Sequence, residues 1–242
     1  MKLPAIRGII RRRILVNFRV DPEVMQAQLP GPFTPKLYAG FAIAGICLIR
    51  LEQIRPMFLP RFLGISSENA AHRVAVRWDD ATGPREGVYI PRRDTGSWLN
   101  HLAGGRLFPG EHHLAHFNVQ AAGDAIDLEM ESHDGAIALR LHATPATSLP
   151  ESSGFATRED ASAFFEGGSL GYSVTRDAHL FDGITLRTEQ WSLEPLNVTD
   201  VYLSYFSDET KFPRGSVQFD CALLMRDLAH EWHPAPELSV EP

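Results

Sequence analysis

Residues 13–20 place Ile14, Val16, Phe18 and Val20 on one side of an extended chain and Arg13, Leu15, Asn17 and Arg19 on the other. This period of two, the signature of a strand, returns along most of the sequence. It recurs at His72 to Trp78, where Val74, Val76 and Trp78 alternate with Arg73, Ala75 and Arg77, and at His112 to Val119, Ile126 to Glu131 and Ala136 to His142. The turn clusters Ala122-Gly123-Asp124 and His133-Asp134-Gly135 separate the last three, which predicts antiparallel neighbours joined by short turns. Gly40 to Leu51 predicts a long buried strand, and further strands are expected at Val88 to Pro91, Gly171 to Arg176, Ile184 to Trp191 and Ser216 to Met225. Helix signals are few. Asp21 and Pro22 start a short helix that Pro30-Gly31-Pro32 stops, and others are expected at Thr95 to Ala103, from a Thr157 cap to Phe165, and at Thr199 to Tyr205. Strands that follow one another through short turns predict a mainly β (α+β) fold: a curved antiparallel sheet or closed barrel with a few peripheral helices. A doubly wound α/β fold is disfavoured.

The 242 residues suit one domain spanning 1–242, with the Pro- and Ser-rich stretch near 144–155 as a surface loop. The formal charge of −7 offers no basic face for a phosphate backbone, so a nucleic-acid partner is not expected. The longest apolar run, Ala39 to Ile49, falls short of the ~20 residues of a membrane helix. Arg7, Arg11, Arg12 and Arg13 interrupt the N-terminal apolar stretches where a signal peptide needs an uncharged core. A cytoplasmic protein without a membrane partner is expected. Cys47 and Cys221 sit in apolar strand contexts and read as small buried side chains rather than a disulfide.

Several segments carry candidate chemistry. Gly167-Gly168-Ser169-Leu170-Gly171 fits the nucleophile-elbow pattern, which makes a serine hydrolase at Ser169 one reading; the elbow, however, needs a strand before the serine and a helix after it. Here a helical pattern precedes and a strand pattern follows, so a glycine-rich connector is the simpler reading. In Glu111-His112-His113-Leu114-Ala115-His116, an extended chain sets the rings of His112 and His116 ~13 Å apart, too far to share one zinc ion. No metal and no cofactor are expected. Arg92-Arg93-Asp94 with Tyr89 suits an anion-binding rim, and Trp98 suits a pocket wall.

Asn17-Phe18-Arg19-Val20-Asp21-Pro22-Glu23-Val24, Leu29-Pro30-Gly31-Pro32-Phe33, Glu68-Asn69, Gly87-Val88-Tyr89 and Gln190-Trp191-Ser192-Leu193-Glu194-Pro195 follow one another over roughly residues 10 to 230. This order of motifs resembles that of the bacterial YqjF-like family. That family looks like a relative of acetoacetate decarboxylase, which implies a curved, largely antiparallel barrel around a buried pocket. It also implies a pocket arginine at Arg19 and a pocket glutamate at Glu68. The decarboxylases place a Schiff-base lysine after an aromatic-proline pair, but the matching stretch here is Phe108-Pro109-Gly110-Glu111, with no lysine. Only three lysines occur, Lys2, Lys36 and Lys211, against 20 arginines. Arginine does not form an imine, so decarboxylation through one is not expected.

The resemblance therefore implies an interior pocket for a small organic ligand, a carbonyl or carboxylate compound. Were it an enzyme, a non-imine lyase, isomerase or hydratase would use Glu68, Glu111 and His113 as proton-transfer groups. Arg19, Tyr89, Arg92 and Trp98 would hold substrate. The alternative is a non-catalytic small-molecule-binding protein in which Arg19 and Glu68 satisfy each other as a pair. A homo-oligomer follows from the resemblance alone.

Overall fold

The computed structural model describes residues 5–80, 82–103, 109–177 and 179–239. Strand takes up 60% of the described residues and helix 11%, so the β-rich architecture with few helices is what forms. β1 (Ile6–Val20) runs into α1 (Pro22–Gln26), whose cap is the expected Asp21, its carboxylate accepting from the amides of Glu23 and Val24. The short β2 (Thr34–Pro35) and β3 (Leu37–Tyr38) precede the long β4 (Phe41–Pro56), β5 (Ile65–Asp80) and β6 (Gly83–Thr95). After α2 (Trp98–Ala103) comes the expected meander of β7 (His112–Ala122), β8 (Ala125–Ser132) and β9 (Ala138–Pro145). Thr157 caps α3 (Arg158–Glu166), which is followed by β10 (Leu170–Val174), β11 (Leu180–Thr188), β12 (Glu194–Leu203) and β13 (Val217–Ser239).

Two local expectations are corrected. Residues 199–203, read as a helix, belong to β12, because Leu196 to Leu203 pair with Leu139 to Pro145 of β9 and the run Val198, Thr199, Val201, Tyr202 favours an extended chain. The sheet is also mixed rather than wholly antiparallel, since β6 pairs in parallel with both β7 and β10. Parallel pairing needs a long crossover, and the chain from β7 to α3 supplies it before β10.

The sheet curls until its pairings form rings. One runs β13–β1–β4–β5–β6–β10–β11 and back to β13; the other leaves β6 through β7, β8, β9 and β12 and rejoins β13. The strands β13, β1, β4, β5 and β6 belong to both rings, so each of their faces meets a buried interior. Alternate residues accordingly enter different apolar clusters. Ile14, Val16, Ala44, Ile46, Val74 and Leu224 join Leu128, Leu141 and Leu196 in one; Leu15, Ile43, Cys47, Ala71 and Leu223 join Phe155, Ala161 and Phe164 in the other. Both cysteines are free and buried. Among the described residues no helix is long and apolar enough to cross a membrane.

Candidate functional site

The second of these faces carries a cavity of about 110 Å³, on the scale of one that takes a single benzene-sized molecule (~150 Å³). Strand register determines what lines it. Leu15 of β1, Cys47 of β4, Ala71 of β5, Arg93 of β6 and His112 of β7 are successive cross-strand partners and form one row. The neighbouring rows are Asn17–Gly45–Arg73 on one side and Arg13–Ile49–Asn69 on the other. Residues two apart on a strand share a face, so Arg13, Cys47, Arg73, Arg93 and His112 converge, and all five line the cavity. Asn100 of α2 lines it too, tied to β5 by its Nδ2 donating to Ser67 Oγ at 3.1 Å.

Gly45 makes this arrangement possible. Lying between Asn17 and Arg73, it lets the Arg73 guanidinium cross the strand and donate to Asn17 Oδ1. A Cβ at position 45 would stand 2.0 Å from the Val16 carbonyl oxygen. Gly45→Ala is therefore expected to cost about 1–3 kcal/mol, measured as a lower urea midpoint with an unchanged m-value.

The electrostatics of the lining are one-sided. Arg13, Arg73 and Arg93 have no carboxylate within ion-pair distance among the described residues. Arg13 Nε donates to Cys47 Sγ at 3.1 Å and its guanidinium lies over the Trp191 ring. Arg73 lies over Phe165, and Arg93 Nε donates to Ser173 Oγ at 3.0 Å. These neutral contacts offset part of the cost of burying cations and leave the charges without an ion-pair partner, the Asp182 carboxylate acting on Arg93 only from beyond ion-pair distance. Burial pulls the pKa of Arg73 and of Arg93 down to about 10, which still leaves both charged at neutral pH. Burial, reinforced by Arg93, pushes His112 down to about 3, so the imidazole is neutral. The one acid of the lining, Asp94, is held by Arg92, with Nη2 to Oδ1 at 2.8 Å.

Arg19, Glu68, Tyr89, Arg92, Trp98, Glu111 and His113, given roles from the sequence, do not line the cavity, although Arg92 and His113 meet at Asp134. Arg19 and Glu68 do not pair. Arg19 Nε meets Asp220 Oδ1 at 3.0 Å and its Nη2 donates to the Ser152 carbonyl, fastening the 144–155 loop. Glu68 belongs to the row Arg226–Arg12–Arg50–Glu68 on the opposite face, with Arg12 Nη2 at 2.7 Å; burial raises its pKa against the pull of that cation. Glu111 pairs with exposed Arg176 at 3.0 Å. His113 faces Asp134 at 3.3 Å, because neighbours on β7 point to opposite faces and the cavity side is His112. Arg92 bridges Asp94 and Asp134. Tyr89 is packed in the other cluster against Phe33 and Phe181, where burial pushes its hydroxyl up to about 12. Trp98 is 59% exposed on α2.

Ser169 does line the cavity, but α3 ends before it and β10 begins after it, the reverse of an elbow. Pro109 lines it as well, while Phe108 lies outside the described residues. Gly110 has φ +74°, and a Cβ there would stand 2.6 Å from Ser173 Cβ. Lys36 pairs with Glu86 at 2.8 Å and Lys211 with Asp208 at 3.2 Å, and neither lines the cavity; Lys2 lies outside the described residues. No cluster of three or more potential metal ligands occurs among the described residues. The signal that marks Arg13 and Arg73 in the sequence is arginine at alternate positions of strands whose intervening positions are mostly apolar, whereas Arg93 sits between charged Arg92 and Asp94 and carries no such signal.

No curated protein matches the sequence. Among solved structures, an acetoacetate decarboxylase from Legionella pneumophila subsp. pneumophila str. Philadelphia 1 is similar with a TM-score of 0.61 at 14% identity, over 99% of this chain and 88% of its own. An acetoacetate decarboxylase-like enzyme from Sphingomonas wittichii RW1 gives 0.61 at 11%, over 100% and 94%. The enduracididine biosynthesis enzyme MppR, complexed with pyruvate, gives 0.59 at 11%, over 100% and 92%. At such identities the likeness establishes an acetoacetate decarboxylase-like fold. A model of the uncharacterized conserved proteins named DUF2071 matches residues 10–218, and the chain belongs to that family.

Proposed function

We propose that the cavity holds a small organic anion, a carboxylate or carbonyl acid, with Arg13, Arg73 and Arg93 as its counter-charges. The observation that carries this reading is the convergence of three guanidiniums without a carboxylate partner on one interior space. Buried cations are ordinarily paired, because an uncompensated charge out of water is costly. A bound carboxylate supplies the missing partner, and guanidinium geometry suits its two oxygens. The pyruvate in MppR is a molecule of this class.

Among the described residues no amine lines the cavity, so chemistry at this site would proceed without an imine. Neutral His112 leaves the arginines as the recognition charges at every pH from about 5 to 9.

Calorimetry with acetate and propionate, against acetamide and propionamide as neutral controls, tests the reading. The acids are expected to bind and the amides not, with affinity falling at least tenfold in Arg73→Met or Arg93→Met. Affinity should hold from pH 6 to 8 and fall as pH approaches 10, where Arg73 and Arg93 lose their protons. Equal binding of acids and amides would overturn it.

A further inference from the structure

We propose that Cys47 is the reactive group of this cavity, a thiol that captures small carboxylates carrying an electrophilic carbonyl carbon. The proposal rests on the anion-binding reading above and adds to it a covalent step and a ligand class.

Two independent features lead there. The first is the position of the sulfur. Cys47 lines the cavity from its row, with Ala71 the only residue between it and Arg93, and Arg73 and Arg13 diagonal to it on the flanking strands. Arg13 Nε donates to Sγ itself at 3.1 Å. Thiols attack through sulfur as thiolates. The second feature concerns the ligand and not the cysteine. Arg73 is 5% exposed and lines the cavity, yet its Nε has no hydrogen-bond partner. With Arg13 and Arg93 it lines the cavity without a carboxylate in ion-pair distance among the described residues, and an anion entering the cavity supplies that charge. In a space of about 110 Å³, a carboxylate seated on the guanidiniums leaves its adjacent carbon beside Sγ.

Addition at that carbon is balanced without any further reagent. The Sγ–C bond forms as the carbonyl π pair moves onto oxygen, and the thiol proton ends on that oxygen. The product is a hemithioacetal or hemithioketal, and nothing is oxidised or reduced. Cys221 provides the contrast within the same molecule. It is fully buried, does not line the cavity, and burial together with neighbouring Asp220 pushes its thiol far up.

The test uses the intact native chain with iodoacetate and iodoacetamide in parallel, glutathione as the reference thiol, and peptide mass mapping of both cysteines. In each reaction S–C forms, C–I breaks, iodide leaves with the bond pair and the thiol proton passes to buffer. The iodoacetate-to-iodoacetamide rate ratio at Cys47 is expected to exceed that of glutathione at least tenfold. Cys221 should stay unlabelled until the chain is denatured. Glyoxylate should protect Cys47 at concentrations at least tenfold below those at which acetate does. An unlabelled Cys47, or a ratio equal to that of glutathione, in a protein that still binds acetate would overturn the role of Cys47 and leave the anion site standing. Loss of the iodoacetate preference in a protein that binds no acetate would overturn both.

Discussion

Between pH 6 and pH 4 the folded protein is expected to lose stability at roughly 3–4 kcal/mol per pH unit, the slope of nearly three protons taken up on unfolding. Three histidines are responsible. His72 is 1% exposed and stacks on Tyr205 with neither ring nitrogen hydrogen-bonded. Burial, with Arg92 nearby, pushes it down to about 3; burial and Arg93 do the same to His112; burial and Arg13 push His230 to about 4. Each folded-state pKa lies below the unfolded value near 6.5. The unfolded chain therefore binds these protons first, and stability present above pH 6.5 drains away as pH falls toward the folded values. Glu68 and Asp94, raised by burial, act with the opposite sign and flatten the slope as pH falls into the range where they take up protons. For a domain stable by 5–15 kcal/mol, acid unfolding follows near pH 4. Urea midpoints measured every half unit from pH 7.5 to 4.5 would show it, and His72→Gln or His230→Gln should each remove about a third of the slope. A slope below one proton would mean that these imidazoles are solvated.

Asp220→Ala is expected to cost about 3–5 kcal/mol, the penalty for removing one member of a buried ion pair. Asp220 is fully buried, meets Arg19 at 3.0 Å, and accepts from the Gly154 amide at 2.6 Å and from Ser153 Oγ at 3.0 Å. One carboxylate thus joins the end of β1, the start of β13 and the 144–155 loop. Its loss strands the Arg19 guanidinium and frees the loop that seats Phe155, which is 3% exposed. Denaturation should show the loss in the midpoint. The double variant Arg19→Ala/Asp220→Ala should be less destabilised than the sum of the singles, since no buried charge is then left alone. A cost below 1 kcal/mol would show a solvent-screened pair instead.

How far this was legible in the sequence differs between fold and site. Alternation in β1, β5, β7, β8 and β9 and the caps Asp21 and Thr157 are local signals, and the elements form as read. The 199–205 segment fails for a nonlocal reason, because only pairing with β9 decides that Val198 to Leu203 stay extended. The cavity lining differs from the residues named from sequence for a geometric one. Arg19 and Arg13 lie on the same face of β1, yet β1 is long enough that Arg13 reaches the cavity while Arg19 reaches the loop at the other end. On β7 a shift of one residue exchanges His113 for His112 and the exterior for the interior.

The sequence by itself determined which residues share a face, because an extended chain puts alternate side chains on opposite sides whatever surrounds it. The sets Ile14, Val16, Phe18 and Arg13, Leu15, Asn17 are therefore properties of the chain. Only the tertiary structure decided that the second face is also an interior. When one sheet closes two rings through the same five strands, water is excluded from both sides of them. The arginine-bearing face thereby becomes the wall of the cavity.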